Sequence, residues 1–468
     1  MMPQERYKKL KEYLSIENPV LLDVIDRYKT LDEIAYNVGL IDKTKTYTEH
    51  ISWWPMISVL GTFSAGKSTF INEYLGTTIQ ESGNQAIDDK FTVVCYGNSP
   101  ETITLPGLAL DADPRFPFYN ISEEVNKVDP GEGNRVNMYL QLKSLKSDRI
   151  KGKILIDSPG FDADSQRDAI LKITSHIVEM SDLVLIFFDA RHPEPGAMRD
   201  TLEHLVATTI QHRDANKVLY ILNQIDTTAK EDNLEDVIGS WQRALSKEGL
   251  VSGNFYGIYS ENAASPIADE ALAERLRNKR NTDLEKILDR MDKVGIERAY
   301  RIVKALDDFA REIKEQKIPL LKEILEKWRS RVMMTDLSVL GMFLLLAGLL
   351  QWKTGLFSSP AEHILPLAAG ALSMIVIWLF IHIKAGHFFA KRLARTYETS
   401  DSSIARAIIQ NTTFFRSLFG FGKKWHQRTI EEIDKLIATS KESIQKLNDQ
   451  YISPSGSANE DTFTENKA

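Results

Sequence analysis

The sequence has a single cysteine, Cys95, so no disulfide can form within the chain. Cys95 sits in the apolar run Phe91-Thr-Val-Val-Cys-Tyr96, where a buried strand residue in a reducing, cytoplasmic compartment is expected. Strong charge of either sign is also missing. The 58 Lys and Arg against 65 Asp and Glu leave a net charge of -7, which is mild and of the wrong sign for binding nucleic acid through overall charge. The opening MMPQERYKKLKEYL has no apolar stretch behind its charges, so a secretory signal is not expected. At 43% apolar and 26% charged, with a mean hydropathy of -0.25, the average composition is that of a soluble globular protein. The exception is a strongly apolar block between Leu337 and Ile383.

A chain of 468 residues suggests roughly two to four domains. Residues 1–50 read as N-terminal stalk helices, because Tyr7, Leu10, Tyr13 and Leu14, then Leu21, Leu22, Ile25, Tyr28 and Leu31, recur at helical spacing. Residues 51–282 change texture. The apolar runs Pro55–Leu60, Phe91–Tyr96, Lys153–Ile156, Leu183–Phe188, Val218–Leu222 and Phe255–Tyr259 alternate with helical segments, which implies a mainly parallel, helix-covered sheet. Residues 283–331 are again helical, with an apolar stripe from Ala299 to Ile313 that continues past Pro319 through Leu321, Ile324, Leu325 and Trp328. Residues 332–383 hold the apolar block. Residues 384–452 carry basic amphipathic and C-terminal stalk helices, and 453–468 are polar and expected to be disordered. Between Trp425 and Tyr451, Ile430, Ile433, Ile437, Ile444 and Leu447 lie close to a heptad seam too short for an independent coiled coil, so packing on the earlier helices is expected.

Gly61-Thr-Phe-Ser-Ala-Gly-Lys-Ser68-Thr69 fits GxxxxGK[ST] and lies between the apolar run Met56–Leu60 and the helical Phe70–Leu75, where a phosphate loop must lie. Phosphate carries concentrated negative charge, which backbone N–H groups at a helix N-terminus meet, while Gly61 and Gly66 permit the tight backbone. This makes Gly61, Ser64, Ala65, Gly66, Lys67, Ser68 and Thr69 the expected phosphate contacts, with Lys67 on the β- and γ-phosphates and Ser68 on Mg²⁺. Ile154-Leu-Ile-Asp157-Ser-Pro-Gly160 adds a carboxylate at a strand end for the Mg²⁺ shell and a Gly N–H for the γ-phosphate. Leu222-Asn223-Gln224-Ile225-Asp226 has the form of a base-reading NKxD element, in which the Asp accepts from guanine N–H groups.

These three elements resemble the dynamin superfamily of membrane-acting NTPases. Ser64 corresponds to the serine of the dynamin-type phosphate loop, and Asp157-Ser-Pro-Gly160 looks like that family's Asp-Thr-Pro-Gly. The likeness to Eps15-homology-domain (EHD) ATPases also takes in Asp88-Asp-Lys-Phe91, Asp113-Pro-Arg-Phe-Pro-Phe118, Phe188-Asp-Ala190 and Leu284-Glu-Lys-Ile287. The overall layout is similar to bacterial dynamin-like proteins and mitofusins. The resemblance implies a G domain that dimerises on nucleotide, with Ser64 and Lys67 in catalysis, a helical bundle that moves on hydrolysis, and a homodimer or higher homo-oligomer. Where the EHD pattern has Thr-Thr-Asp in the first switch, this chain has Ile87-Asp88-Asp89, leaving Asp88 as metal ligand, an approach of Thr92, or a plain turn. Phe161 stands where small GTPases carry the water-orienting Gln, a substitution shared with dynamins. Gln224 replaces the lysine over the base, and EHD proteins bind ATP despite an NKxD-type element, so GTP is the favoured substrate and ATP the other.

Val332–Trp352 and Ile364–Ile383 are each about the ~20 residues needed to cross a ~30 Å hydrocarbon core. Asp336 interrupts the first, leaving Leu337–Leu350, about 21 Å as a helix. A transmembrane hairpin is the favoured reading, against a re-entrant wedge or a buried soluble core. Lys322, Lys327, Arg329 and Arg331 precede the block, and Lys384, Lys391, Arg392, Arg395 and further basic residues follow it. By the positive-inside rule, both termini and the NTPase domain are cytoplasmic. Phe388, Phe389, Phe414, Phe415, Phe419, Phe421 and Trp425 lie among those basic residues and suit either an interfacial helix on anionic lipid or stalk core. The expected fold is thus an α/β P-loop NTPase with an α-helical bundle stalk and a membrane hairpin. Its expected function is a membrane-anchored dynamin-like GTPase in membrane remodelling, fusion or tethering. An EHD-like ATPase of the same architecture, or a nucleotide-binding scaffold with little hydrolysis, is the alternative. Partners are a bilayer, nucleotide and a second copy, without nucleic acid.

Overall fold

The computed structural model describes residues 3–80, 90–113, 116, 118–119, 121–128, 131–160, 167–191, 217–247, 255–354, 364–398, 401–420 and 423–451. The chain divides into two compact units, Glu49–Ile302 on one side and Met1–Thr48 with Val303–Ala468 on the other.

In the first unit the described residues form an eight-stranded sheet in the order β3-β4-β2-β5-β1-β6-β7-β8. The strands are β1 Met56–Gly61, β2 Phe91–Tyr96, β3 Ile103–Pro106, β4 Leu140–Leu145, β5 Ile154–Asp157, β6 Leu183–Asp189, β7 Val218–Asn223 and β8 Phe255–Ile258. Pairing is parallel from β5 through β1, β6 and β7 to β8 and between β2 and β4, and antiparallel for β2 with β5 and β3 with β4. The six expected runs are β1, β2 and β5 to β8, each within a residue or so. Their continuous apolarity follows from burial on both faces, with helices over the sheet. Ile71 and Tyr74 pack with Ile57, Val59 and Phe187 on one side. Ile173 and Ile177 pack with Met56, Ile154 and Ile156 in a second cluster, and Trp241 with Phe188 and Tyr220 in a third. In the register, Val59 pairs with Asp157 and Gly61 with Phe187, so the carboxyl ends of β1 and β5 meet side by side, the usual ligand position in an open α/β sheet.

The helix expected from residue 283 begins at Glu270 and runs to Glu312. Its Ile287, Met291 and Val294 are buried with the sheet residues Leu155 and Leu185. The Asp283 carboxylate accepts from the Gly257 N–H at 2.8 Å and from Lys279 Nζ at 2.8 Å. Residues 283–302 therefore lie with the G domain.

The second unit is helical in its described residues. Helices Pro3–Glu17 and Leu22–Val38 bury Leu10, Leu14, Ile25, Tyr28 and Leu31, as the spacing predicts, while Tyr13 stays exposed. Helix Lys423–Tyr451 turns Ile433, Ile437 and Leu447 inward. It reaches the helix Leu22–Val38 through Lys446–Asp23 and Arg27–Glu442 pairs, and Lys314 through Asp434. Pro319 has no N–H for the carbonyl four residues earlier, and the preceding turn, Ile313–Lys317, widens to a π-helix.

The apolar block lies in helices Ile318–Thr354 and Ile364–Glu398. Both are long and apolar enough to cross a membrane, and their most apolar windows are only 11% and 6% buried within the protein. A core helix would hide these side chains, whereas Leu337, Leu344, Leu345, Leu372, Ile375 and Phe380 are exposed. Asp336, which interrupts the first run, accepts a contact from His382 across the hairpin, Nδ1 to Oδ2 at 2.8 Å. His382 Nε2 meets Ser417 Oγ at 2.7 Å, and Trp378 and Phe414 flank the ring at 5.5 and 5.1 Å. The carboxylate is thus turned into the protein. Among the basic-aromatic residues some are packed and others exposed. Phe389 packs on Trp328, Val332 and Ala390, while Phe388, Phe415 and Phe419 are exposed. The side chains of Phe421 and Trp425, the loop 355–363 and the tail 453–468 lie outside the described residues.

Candidate functional site

β1 delivers Gly61 to the loop, and the helix Lys67–Leu75 begins directly after Gly66. Gly61, Ser64 and Gly66 have φ of +156°, +58° and +81°. Neighbours as well as backbone demand glycine. A Cβ on Gly66 would lie 2.1 Å from Asn223 Nδ2, and one on Gly61 would lie 2.6 Å from the Phe187 carbonyl oxygen. Lys67 Nζ donates to the carbonyls of Gly61 and Thr62, each at 3.0 Å. An ammonium has three donors, so the loop holds Lys67 with one still to give. Burial pushes its pKa below the usual lysine value, opposed by the charge of Asp157. A phosphate beside it restores the preference for the charged form.

Three side chains bind the loop from beyond it. Asn223 Nδ2 donates to the Ala65 carbonyl at 2.8 Å, Gln224 Nε2 to the Ser64 carbonyl at 2.8 Å, and Arg191 Nη2 to the same oxygen at 3.3 Å. Arg191 is itself held by Asp189 at 2.7 Å, and that carboxylate keeps the guanidinium above its ordinary pKa. Gln224 therefore takes its place at the base-reading element by gripping the phosphate loop. Asp226 is buried, and its Oδ2 accepts from the Ser265 N–H at 2.8 Å.

Asp157 ends β5 almost fully buried, and Gln80 Nε2 donates to its Oδ2 at 2.7 Å. Gly160 comes so near the loop that a Cβ on it would lie 2.9 Å from Phe63 Cα. Thr92 is buried in β2 opposite Asp157, with its hydroxyl accepting from Gln141 Nε2 at 2.8 Å. Asp88 and Phe161 lie outside the described residues. The donors present suit Mg²⁺. A serine hydroxyl, one carboxylate and substrate phosphates are the set this hard cation accepts. Ser68 lies in the first turn of the loop helix and Asp157 on the strand beside β1, so both fit that role. Gln80, Asp189 and Arg191 carry no motif as site residues, and only Phe188-Asp-Ala190 marked the last pair's neighbourhood in sequence.

The Dynamin family profile matches residues 57–225, the stretch that contains all three elements. The chain is 24% identical to EH domain-containing protein 1 of Arabidopsis thaliana over 270 residues, 56% of this chain and 46% of that one. It is 27% identical to EH domain-containing protein 2 of Homo sapiens over 203 residues, 41% of this chain and 34% of that one. The chain thus spans less than half the length of these curated relatives. A solved chain of an oligomerised bacterial dynamin pair aligns over 94% of this chain and 78% of its own, at 14% identity and a TM-score of 0.36. With the phosphate loop, the strand-end Asp157 and the NKxD-like element assembled at the carboxyl ends of the strands, residues 57–225 carry a dynamin-family domain, a G domain similar to those of EH domain-containing proteins.

Proposed function

We propose that this chain is a membrane-anchored, Mg²⁺-dependent nucleotide phosphohydrolase that prefers GTP and couples its cycle to remodelling, fusion or tethering of a membrane. The observation that carries the reading is the coexistence, in one chain, of a complete phosphate-loop site with two apolar helices whose faces are left uncovered. Mg²⁺ supplies charge neutralisation on the phosphate oxygens, and Ser68 and Asp157 are the groups that hold it. Lys67 meets the β- and γ-phosphates from a fixed position, Ser64 lines the loop at the transferred group, and the Gly160 N–H faces the γ-phosphate. Asp226 reads the base, with Asn223 and Gln224 fixing the element to the loop. The G domain and both termini face the cytoplasm, the hairpin sits in an anionic bilayer, and a second copy completes the catalytic arrangement through the G domain.

ATP is the second reading. Asp226 already gives one carboxylate oxygen to the Ser265 N–H, whereas guanine asks for both, and EH domain-containing relatives resemble this G domain. Competition of fluorescent GTP by unlabelled GTP and ATP, in Mg²⁺ buffer on the full chain, separates the two. Stronger displacement by GTP is expected, and stronger displacement by ATP overturns the preference.

A further inference from the structure

Gln80 belongs to no recognised motif, yet it is 1% exposed and joins three elements at the metal side of the site. Its Nε2 donates to Asp157 Oδ2 at 2.7 Å, and its Oε1 accepts from Lys143 Nζ on β4 at 2.6 Å. Those partners fix the orientation of the carboxamide: a flipped amide would set N–H against ammonium and carbonyl against carboxylate. Lys143 also donates to the Ile79 carbonyl at 2.8 Å. From the end of the loop helix, Asn72 Oδ1 accepts from the N–H groups of Ile79 and Gln80 at 2.9 and 3.0 Å, and its Nδ2 donates to the Gln80 carbonyl at 2.8 Å. Backbone and side chain of Gln80 are both clamped.

We propose that Gln80 is the positioning residue for the metal-side carboxylate, fixing the Asp157 rotamer for Mg²⁺. Asp157 alone swings about two side-chain torsions. One N–H on Oδ2 removes that freedom and leaves the remaining lone pairs for the metal or its water. Lys143 holds the far end of the carboxamide and adds positive charge one group away, so neither the carboxylate nor the glutamine has to be ordered when nucleotide arrives. Residues that orient a metal ligand in this way typically change metal affinity about 10–100-fold when removed. This inference rests on the nucleotide-and-Mg²⁺ reading above and assigns the support of the metal to a residue outside the known motifs.

The test is binding. Fluorescent GTP affinity is measured on the full chain in detergent, once in EDTA and once across a Mg²⁺ titration, for wild type, Gln80→Ala and Lys143→Met. The Gln80→Ala midpoint is expected about 10–100-fold higher in Mg²⁺, with nucleotide affinity in EDTA close to wild type. Lys143→Met keeps the Asp157 contact but loosens the glutamine, so it shifts the midpoint the same way by less. It serves alone if Gln80→Ala fails to fold. An unchanged Mg²⁺ midpoint in a folded variant overturns the proposal, as does an equal loss of affinity with and without Mg²⁺, which marks a merely structural residue. Wild type that binds no nucleotide in either buffer defeats the underlying site reading instead.

Discussion

Replacing Lys67 by alanine lowers phosphate release from saturating Mg²⁺-nucleotide by about 10²–10³-fold, the usual loss when one preorganised charge at a reacting group is removed. The geometry explains why the loss falls on the reaction. The ammonium is spent on two loop carbonyls, Gly61 and Thr62, at the cost of its hydration. Asp157 offsets part of that burial, and a phosphate adds the further negative charge that favours the cation. The loop keeps its shape without Lys67, because Asn223, Gln224 and Arg191 hold Ala65 and Ser64 independently. The variant is therefore expected to unfold near the wild-type temperature while losing the stabilisation that nucleotide gives, about 2.7 kcal/mol at a hundredfold excess over Kd. A thermal scan with and without nucleotide, beside the phosphate-release assay, checks both parts. Turnover within a few-fold of wild type contradicts the assignment of Lys67.

Removing residues Val332–Ile383 and closing the helices with a short linker moves the protein from the alkaline-carbonate pellet of membranes to the supernatant. The two apolar windows are 11% and 6% buried, so few of their side chains stabilise the protein from within, Val332 and His382 being among the buried residues the deletion also removes. Each window is about the length that crosses a ~30 Å hydrocarbon core. The acidic interruption at Asp336 does not weaken this, since the carboxylate meets His382 across the hairpin instead of lipid. Intact protein already extracted by carbonate contradicts the hairpin.

Much of the G domain is legible in the sequence, for physical reasons. β1 and β5 to β8 are buried on both faces, so they read as unbroken apolar runs, and the phosphate loop has a spacing that few other structures need. β3 and β4 are not legible. Ile103–Pro106 is exposed throughout and Leu140-Gln-Leu-Lys-Ser-Leu145 alternates, so neither differs from a loop by apolarity. The boundary near residue 302 is hidden as well, because one helical pattern runs across it while Ile287, Met291 and Val294, before it, pack on the sheet. Asp336 reads as a flaw in the first apolar run until His382, 46 residues away, is seen beside it. At the site, Asp157 and Asn223 are marked by motif, but Gln80, in the stretch after the loop helix, meets Lys143 of β4 only once the chain is folded.

In the proposed function, a nucleotide site and a lipid anchor work as one device. Phosphate release by the purified 468-residue chain, measured with GTP and Mg²⁺ as anionic vesicles are added, is the decisive measurement. Turnover is expected to rise with lipid and to disappear in Lys67→Ala. Turnover indifferent to lipid, or retained without Lys67, contradicts that function.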